Sequence, residues 1–453
     1  MVLVKKKHEV NMVSAPIFKG LLSVAIPIML MNVVQSLFSV VDMTMLKVMG
    51  QEDAVGAVGA STTLITLITG LLIGVASGSN VVVARYIAKK DQESVSRAVG
   101  TSIIFSIVGG IVLLIIGVTF ATPFLKMMNC PIELFSEAVL YFRLYFCGVP
   151  LLMVYNFIAS ILRSVGDTRR PMYFLTLGGV FKIIANYLLL RFTNFSVQGV
   201  AFATIISWGT AASLCFIVLL KNKGIIKFNI KYFRFYKKEF LEILHIGVPA
   251  GLQSATYSIA NVIIATTVNS FGKAATTGIS IANTFDGILY HISYAPSLAV
   301  MPFISQNVSV NQPKRVKEVV IKASLITMAL GASFGSLSAI FSGNLSSLMT
   351  TDPAVIAYSK QKMMLISSTY FICGIQDVFG ATLRGMGKPV IPMITSLVYM
   401  CGIRFVWVYA IFPLCPNLTF LYLIWPIGWV LSIITMFISY YIFYNRMKRT
   451  FLK

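Results

Sequence analysis

The chain has 453 residues, of which 57% are apolar and 11% are charged, and its formal net charge is +22. Because a water-soluble domain is roughly one-quarter charged, this composition excludes a soluble enzyme and a disordered chain. A nucleic-acid-binding protein is excluded as well, because the basic residues lie between long apolar stretches, as they do in membrane proteins.

Twelve apolar stretches follow one another along the chain, six in each half. Each is long enough for a membrane-crossing helix, which needs about 20 mostly apolar residues. The sequence therefore predicts an all-α integral membrane protein. The predicted spans are Lys19–Leu46, Ala54–Ile87, Ala98–Leu125, Phe135–Leu162, Pro171–Arg191, Gly199–Leu220, Phe240–Phe271, Ala275–Ile304, Val316–Leu348, Ala354–Leu383, Val390–Phe412 and Thr419–Tyr444.

The basic residues are divided unevenly between the two sets of loops. The side that holds the N-terminus receives 28 of the 37 lysines and arginines. Basic loops face the cytoplasm, so this asymmetry predicts that both termini are cytoplasmic, and it explains the net charge as topology. The other side receives Lys47, Lys126, Arg191, Lys273, Lys360 and Lys362, and Arg143, Lys182 and Arg404 fall within spans.

The two halves of the chain resemble each other at a nearly constant offset. The segment Leu162–Gly166 matches Leu383–Gly387, and Pro27 matches Pro249. Because each half holds an even number of spans, the halves share one orientation. The repeat predicts two six-helix bundles related by a pseudo-two-fold axis along the membrane normal, with a cleft between them for alternating access. The predicted domains are an N-terminal lobe (1–220), a basic cytoplasmic connector (221–238) and a C-terminal lobe (239–453).

Three aspartates lie well inside spans, where a charge is costly and usually functional. Asp42 lies in the first span, and Lys182 and Asn186 lie one helical turn apart on the fifth. We expect Asp42 to pair with Lys182, with Asn186 hydrogen-bonding nearby, as an ion-coupling site. The alternative is a static ion pair that joins two helices.

The second half of the chain carries its own charged residues inside spans. Asp286, Asp377 and Arg404 lie on the eighth, tenth and eleventh spans. We expect them to form a charge cluster on the wall of the cleft, either coupled to ion binding or purely structural. The sequence predicts no metal site, no cofactor and no catalytic residues.

A specific set of motifs extends over essentially the whole chain. The motifs are Pro27 through Asp42, Leu162–Met172, Asn186, Gln198–Ala201, Gly247–Gln253, Ser305–Asn307 and Leu383–Gly387. Together they resemble the MATE (multidrug and toxic compound extrusion) transporters, most nearly the bacterial DinF-like and related branches.

The resemblance implies a V-shaped pair of six-helix lobes in a bacterial inner membrane. It also implies export of small amphipathic, often cationic, compounds against an inward flow of protons or sodium ions. Asp42 matches the coupling aspartate of the family, and Gln253 and Tyr257 are candidates for lining the substrate cleft. The chain departs from the family at Leu190, Tyr257 and Cys373, where particular branches carry acidic residues, so Lys182 and Asp377 are candidate replacements.

Other functions would require features that differ from those of this chain. A lipid-linked oligosaccharide flippase, the main alternative, would need a more strongly cationic cleft to hold a pyrophosphate. A membrane-embedded enzyme would need a catalytic dyad or metal cluster, which three scattered histidines do not supply. A channel would not need the internal repeat. We therefore expect a monomeric antiporter that contacts membrane lipid and a small organic substrate, with no nucleic-acid partner.

Overall fold

All regular secondary structure in the described part of the chain is helical, which confirms the all-α prediction. The computed structural model describes residues 10–50, 52–128, 130, 132–222 and 224–452. The helices of the first half are α1 (Ile17–Val48), α2 (Glu52–Ala88), α3 (Gln92–Met127), α4 (Ile132–Ser164), α5 (Arg169–Phe192) and α6 (Val197–Lys221). Those of the second half are α7 (Lys237–Asn269), α8 (Lys273–Ser309), α9 (Pro313–Ile340), α10 (Ser342–Ser347), α11 (Pro353–Ile366), α12 (Tyr370–Gly385), α13 (Val390–Ser396), α14 (Ile403–Val406), α15 (Leu418–Tyr422) and α16 (Ile424–Leu452).

Several spans of the second half contain irregular turns. A 3₁₀ turn, Ser367–Thr369, joins α11 to α12 within the tenth span. The eleventh span contains two π-helical segments, Leu397–Gly402 and Trp407–Ile411, on either side of α14. Such π segments within α-helices are rare and occur frequently at functional sites.

Eleven helical stretches of the described chain are long and apolar enough to cross a membrane. The stretch that falls short is α7, which carries polar residues such as Gln253 and Asn261. Its 33 residues nevertheless extend for about 50 Å, more than the thickness of a bilayer core. With α7 included, the helical stretches correspond to the twelve predicted spans.

Glycines in the left-handed backbone region mark equivalent turns of the two halves. Gly50 and Gly272 follow α1 and α7 with φ of 74° and 91°. Gly166 and Gly387 follow α4 and α12 with φ of 82° and 78°. Residues with a Cβ rarely adopt this conformation, so helices of both halves end at glycines in equivalent positions of the repeat.

The chain divides into two compact units. The first contains Leu30–Val248, and the second contains Met12–Met29 and Pro249–Lys453. The division therefore falls within α1 and within α7, next to Pro27 and Pro249, rather than in the predicted connector.

The basic connector packs against the first unit over part of its length. Gln92 at the start of α3 donates a hydrogen bond to the carbonyl oxygen of Ile225 at 2.7 Å. A Cβ added at Gly100 would lie 2.1 Å from the carbonyl oxygen of Tyr232, so the 3₁₀ turn Ile230–Tyr232 lies directly against α3. The connector is thus held to one unit.

Glycines bring α2 and the first part of α7 into backbone contact within the first unit. A Cβ added at Gly78 would lie 2.2 Å from the carbonyl oxygen of Ile243. One added at Gly247 would lie 2.4 Å from the carbonyl oxygen of Val75. Small residues at such crossings let helices in membranes approach closely.

The Gly78→Ala variant should lower the melting temperature of the purified protein, because the added methyl group would push two backbones apart. Overpacking of this kind costs about 1–3 kcal/mol. The matched control is Gly59→Ala in the same helix, where a Cβ would meet nothing within 4 Å. Thermal unfolding in detergent would measure both variants, and equal melting temperatures would contradict the packing role of Gly78.

Candidate functional site

The predicted contact between Asp42 and Lys182 is present in the first unit. The Nζ of Lys182 lies 2.5 Å from Oδ2 of Asp42, and Asn186 donates from Nδ2 to the other carboxylate oxygen at 3.0 Å. The side chains of Asp42 and Lys182 are only 11% and 12% exposed. A buried carboxylate therefore has both of its oxygens engaged, whereas its role in ion coupling stays a prediction.

Helix packing explains why these three residues meet. Gly179, Lys182 and Asn186 lie on one face of α5, three and four residues apart. A Cβ at Gly179 would lie 1.7 Å from the ring of Phe38, which precedes Asp42 by one turn of α1. The missing side chain of Gly179 thus admits Phe38 and brings Asp42 up to Lys182.

The amide of Asn186 is only partly used. Its nitrogen donates to Asp42, but its buried Oδ1 accepts no hydrogen bond from the described residues. Tyr141 on α4 is close enough to Asp42 for the two groups to interact electrostatically. The site therefore contains a carboxylate, an ammonium group and a spare amide oxygen in an apolar interior.

A second buried ion pair lies in the second unit. Asp286 on α8 forms an ion pair with Lys362 of α11, with 2.9 Å between Oδ2 and Nζ. Ser367, in the 3₁₀ turn, donates to Oδ1 of Asp286 at 3.3 Å. Lys362 also donates to Asn283, one turn before Asp286. Lys362, which was predicted among the basic residues of the outer side, is thus buried inside the second unit, with a side chain only 4% exposed.

The predicted cluster of Asp286, Asp377 and Arg404 forms only in part. All three lie near enough to Tyr370 to interact with it electrostatically. However, Asp286 pairs with Lys362 instead of Arg404. Arg404 donates to Oδ1 of Asn261 at 2.8 Å, and neither it nor Asp377 belongs to an ion pair within the described residues.

Asp377 is buried and incompletely hydrogen-bonded. Its Oδ2 accepts no hydrogen bond in the described part of the chain. Arg384, two turns further along α12, is the cation that interacts with it electrostatically. A buried carboxylate without its hydrogen bonds is costly, so Asp377 is a second candidate for loading a proton or another cation.

The two substrate-cleft candidates on α7 take part in hydrogen bonds inside the second unit. The amide of Gln253 donates to Ser396 at 2.9 Å and accepts from Arg384 at 2.6 Å. Tyr257 accepts from Gln376 at 2.5 Å. Gln253 is buried and Tyr257 is half-buried. Gln253 thus joins α7 to α12 and α13, and Tyr257 joins α7 to α12. Their role in lining a substrate cleft stays a prediction.

Comparison with known proteins identifies the family. The sequence model of the MatE family matches the chain twice, over residues 27–188 and 249–410. The two matches together cover more than half of the chain. The chain belongs to the MATE family. The starts of the two matches are as far apart as their ends, which confirms the internal repeat.

Relatives of the chain within this family are membrane transporters. The probable multidrug resistance protein YoeA of Bacillus subtilis is 26% identical, with 84% of this chain and 83% of that protein covered. The FAD transporter of Shewanella oneidensis is 25% identical, with 87% of each chain covered. A transporter of the MOP superfamily from Pyrococcus furiosus has the same fold, with a TM-score of 0.91 at 18% identity over 98% of this chain and 99% of that one. The protein is thus a multi-pass membrane transporter of a multidrug efflux family.

The Lys362→Met variant should destabilise the protein, because it leaves Asp286 buried without its cation. Removing one partner of a buried ion pair typically costs about 3–5 kcal/mol. The control is Lys360→Met, the same change at an exposed position two residues earlier on α11. Melting temperatures in detergent would measure the difference. If Lys360→Met lowered stability as much as Lys362→Met, the buried pair would not be the cause.

Proposed function

We propose that the protein is a secondary antiporter that exports small amphipathic, often cationic, compounds in exchange for protons or sodium ions by alternating access. The observation that carries this proposal is the buried cluster of Asp42, Lys182 and Asn186 in a membrane span. A transporter of this family needs a site whose charge changes when the coupling ion binds, and a buried carboxylate supplies one.

The cluster offers hydrogen-bond partners to Asp42 in both of its charge states. With Asp42 ionised, Lys182 and Asn186 satisfy both carboxylate oxygens. When a proton neutralises the carboxylate, the attraction to Lys182 is lost and the ion pair opens. A flip of the Asn186 amide would then present its free oxygen to the new hydroxyl group. Each state therefore has its own hydrogen-bond pattern between α1 and α5.

Sodium would use the same oxygen atoms. A hard cation prefers carboxylate and amide oxygens, which Asp42 and Asn186 provide. Its arrival would displace the ammonium group of Lys182, since two cations cannot share one buried carboxylate at this distance. Both ions would thus separate Lys182 from Asp42, and both remain candidate coupling ions.

Ion binding would drive transport by changing the relative stability of two conformations. A ligand shifts such an equilibrium only through its different affinity for the two states. The membrane potential adds about 2.3 kcal/mol per charge and 100 mV, which is enough to drive export. We further propose that the protein works as a monomer in a bacterial inner membrane with both termini in the cytoplasm.

Two relatives support export of organic compounds without fixing their chemistry. One is named as a probable multidrug resistance protein and the other as an FAD transporter. The cargo of this family therefore extends from multiple drugs to a large aromatic dinucleotide. We propose that this chain likewise accepts more than one amphipathic aromatic compound.

The Asp42→Asn variant should abolish gradient-driven export, because asparagine is isosteric but cannot load a proton or pair with Lys182. Purified protein in vesicles would be tested with the fluorescent cation ethidium under an imposed proton gradient and, separately, an imposed sodium gradient. We expect the wild type to respond to one gradient and the variant to respond to neither.

The control for this experiment is Asp352→Asn. Asp352 is an exposed aspartate that caps α11 through the backbone nitrogen of Ala354, and asparagine retains this cap. Full transport by Asp42→Asn would refute the coupling role. If the wild type moved no amphiphile under either gradient, the oligosaccharide flippase would become the better hypothesis.

A further inference from the structure

The internal repeat places Arg404 at the position of Lys182. The two residues are separated along the chain by the same distance as Pro27 and Pro249, and as the starts of the two family matches. Each half therefore carries a cation at this position of its fifth span. In each half this cation contacts the first span of its own half. Lys182 pairs with Asp42 on α1, and Arg404 donates a hydrogen bond to Asn261 on α7.

The counter-charge, however, is present in the first half alone. The residue that corresponds to Asp42 at this same offset is Ile264, which belongs to the apolar core of the second unit. Asn261, one turn earlier, is a neutral partner. Arg404 keeps a full positive charge without a carboxylate within ion-pair distance in the described chain. An uncompensated cation in a membrane span is costly, and such residues usually mark a path for a ligand.

Neither of the nearby acidic groups forms an ion pair with Arg404 in the described chain. The carboxylate of Asp286 is neutralised by Lys362. Asp377 lies on the same helix as Arg384, the cation that acts on it. Lys362 is close to the same indole ring as Arg404, but its ammonium group already contacts both Asp286 and Asn283. Arg404 is thus a buried cation, only 2% exposed, that has an amide partner and no carboxylate partner in the described chain.

An aromatic surface lies directly beside this charge. The guanidinium carbon of Arg404 is 4.9 Å from the centre of the Trp425 ring, and the ring itself is half-buried. Asn261 is exposed, and it lies on α7, the one span of the described chain that is not strongly apolar. The flanking π-helical segments of the eleventh span widen the helix on both sides of Arg404.

We propose that Arg404 and Trp425 form a subsite for the anionic group and the planar ring of aromatic carboxylates or phosphates. The guanidinium group donates in a planar fork that matches both anions, and the indole stacks on the attached ring. This inference rests on the proposed export of aromatic compounds. It extends the cargo to anions, whereas the cluster of Asp42 and Lys182 serves the coupling ion.

The test compares flavin mononucleotide with riboflavin, which share one ring system and differ by a phosphate. Binding to the full-length protein in lipid nanodiscs would be followed by flavin fluorescence, without any gradient. We expect the wild type to bind flavin mononucleotide at least about tenfold more tightly, since a hydrogen bond to a charged group contributes about 1.5–3 kcal/mol. The Arg404→Gln variant should lose this preference, and Arg404→Lys should keep part of it.

The control is Lys388→Gln. Lys388 is an exposed cation 5.0 Å from the ring of Phe443 in the same unit, and its removal should leave the preference unchanged. Trp425→Leu should weaken binding of both flavins and retain the preference for the phosphate, so it tests the subsite even if Arg404→Gln does not fold. Equal affinities of the wild type for the two flavins, or an undiminished preference in folded Arg404→Gln, would overturn the proposal.

The two proposals fail separately. Ethidium export without any preference for flavin mononucleotide would refute the anion subsite alone. A preference that depends on Arg404 without export under either gradient would refute the antiporter alone.

Discussion

A charge buried among apolar helices must find a counter-charge or a path to water, and this constraint determines much of the membrane-embedded structure. Asp42 on α1 meets Lys182 on α5, and Asp286 on α8 meets Lys362 on α11. Each pair joins two helices that are distant in the sequence, so the few charged groups select neighbours that apolar packing alone would not distinguish. The same groups are the ones whose charge an arriving ion would change.

The spans and the repeat were predictable because both depend on local composition. About 20 apolar residues suffice to define a span wherever they occur, and glycine turns such as Gly166 and Gly387 recur at equivalent positions of the two halves. The irregular turns within the tenth and eleventh spans were not predicted. Ser367 and its neighbours are not unusual as a sequence, and their 3₁₀ turn forms against Gly335 of α9, where a Cβ would lie 2.2 Å from the carbonyl oxygen of Ser367.

The first candidate site was predictable to the level of individual contacts, unlike the second. Asp42 is the sole acid well inside the spans of its half, and Lys182 and Asn186 share a helix face. In the second half, Lys362 follows Lys360 near the start of a span, which suggested a position at the membrane surface. Its burial depends on Asp286 and Asn283 of α8, a tertiary arrangement that no local pattern reveals.

The two halves carry a cation at equivalent positions, Lys182 and Arg404, and differ in the partner of that cation. Lys182 is neutralised by a carboxylate that a proton or sodium ion would claim, so the net charge of that cluster rises when the coupling ion arrives. Arg404 has an amide partner whose charge no ion changes, and its own charge stays constant through the cycle. On the functions proposed above, the first half responds to the ion gradient while the second presents a fixed charge to the cargo. The difference lies at one pair of equivalent positions, where the first half has Asp42 and the second half has Ile264, and this pair determines whether the cation of the fifth span has a carboxylate partner.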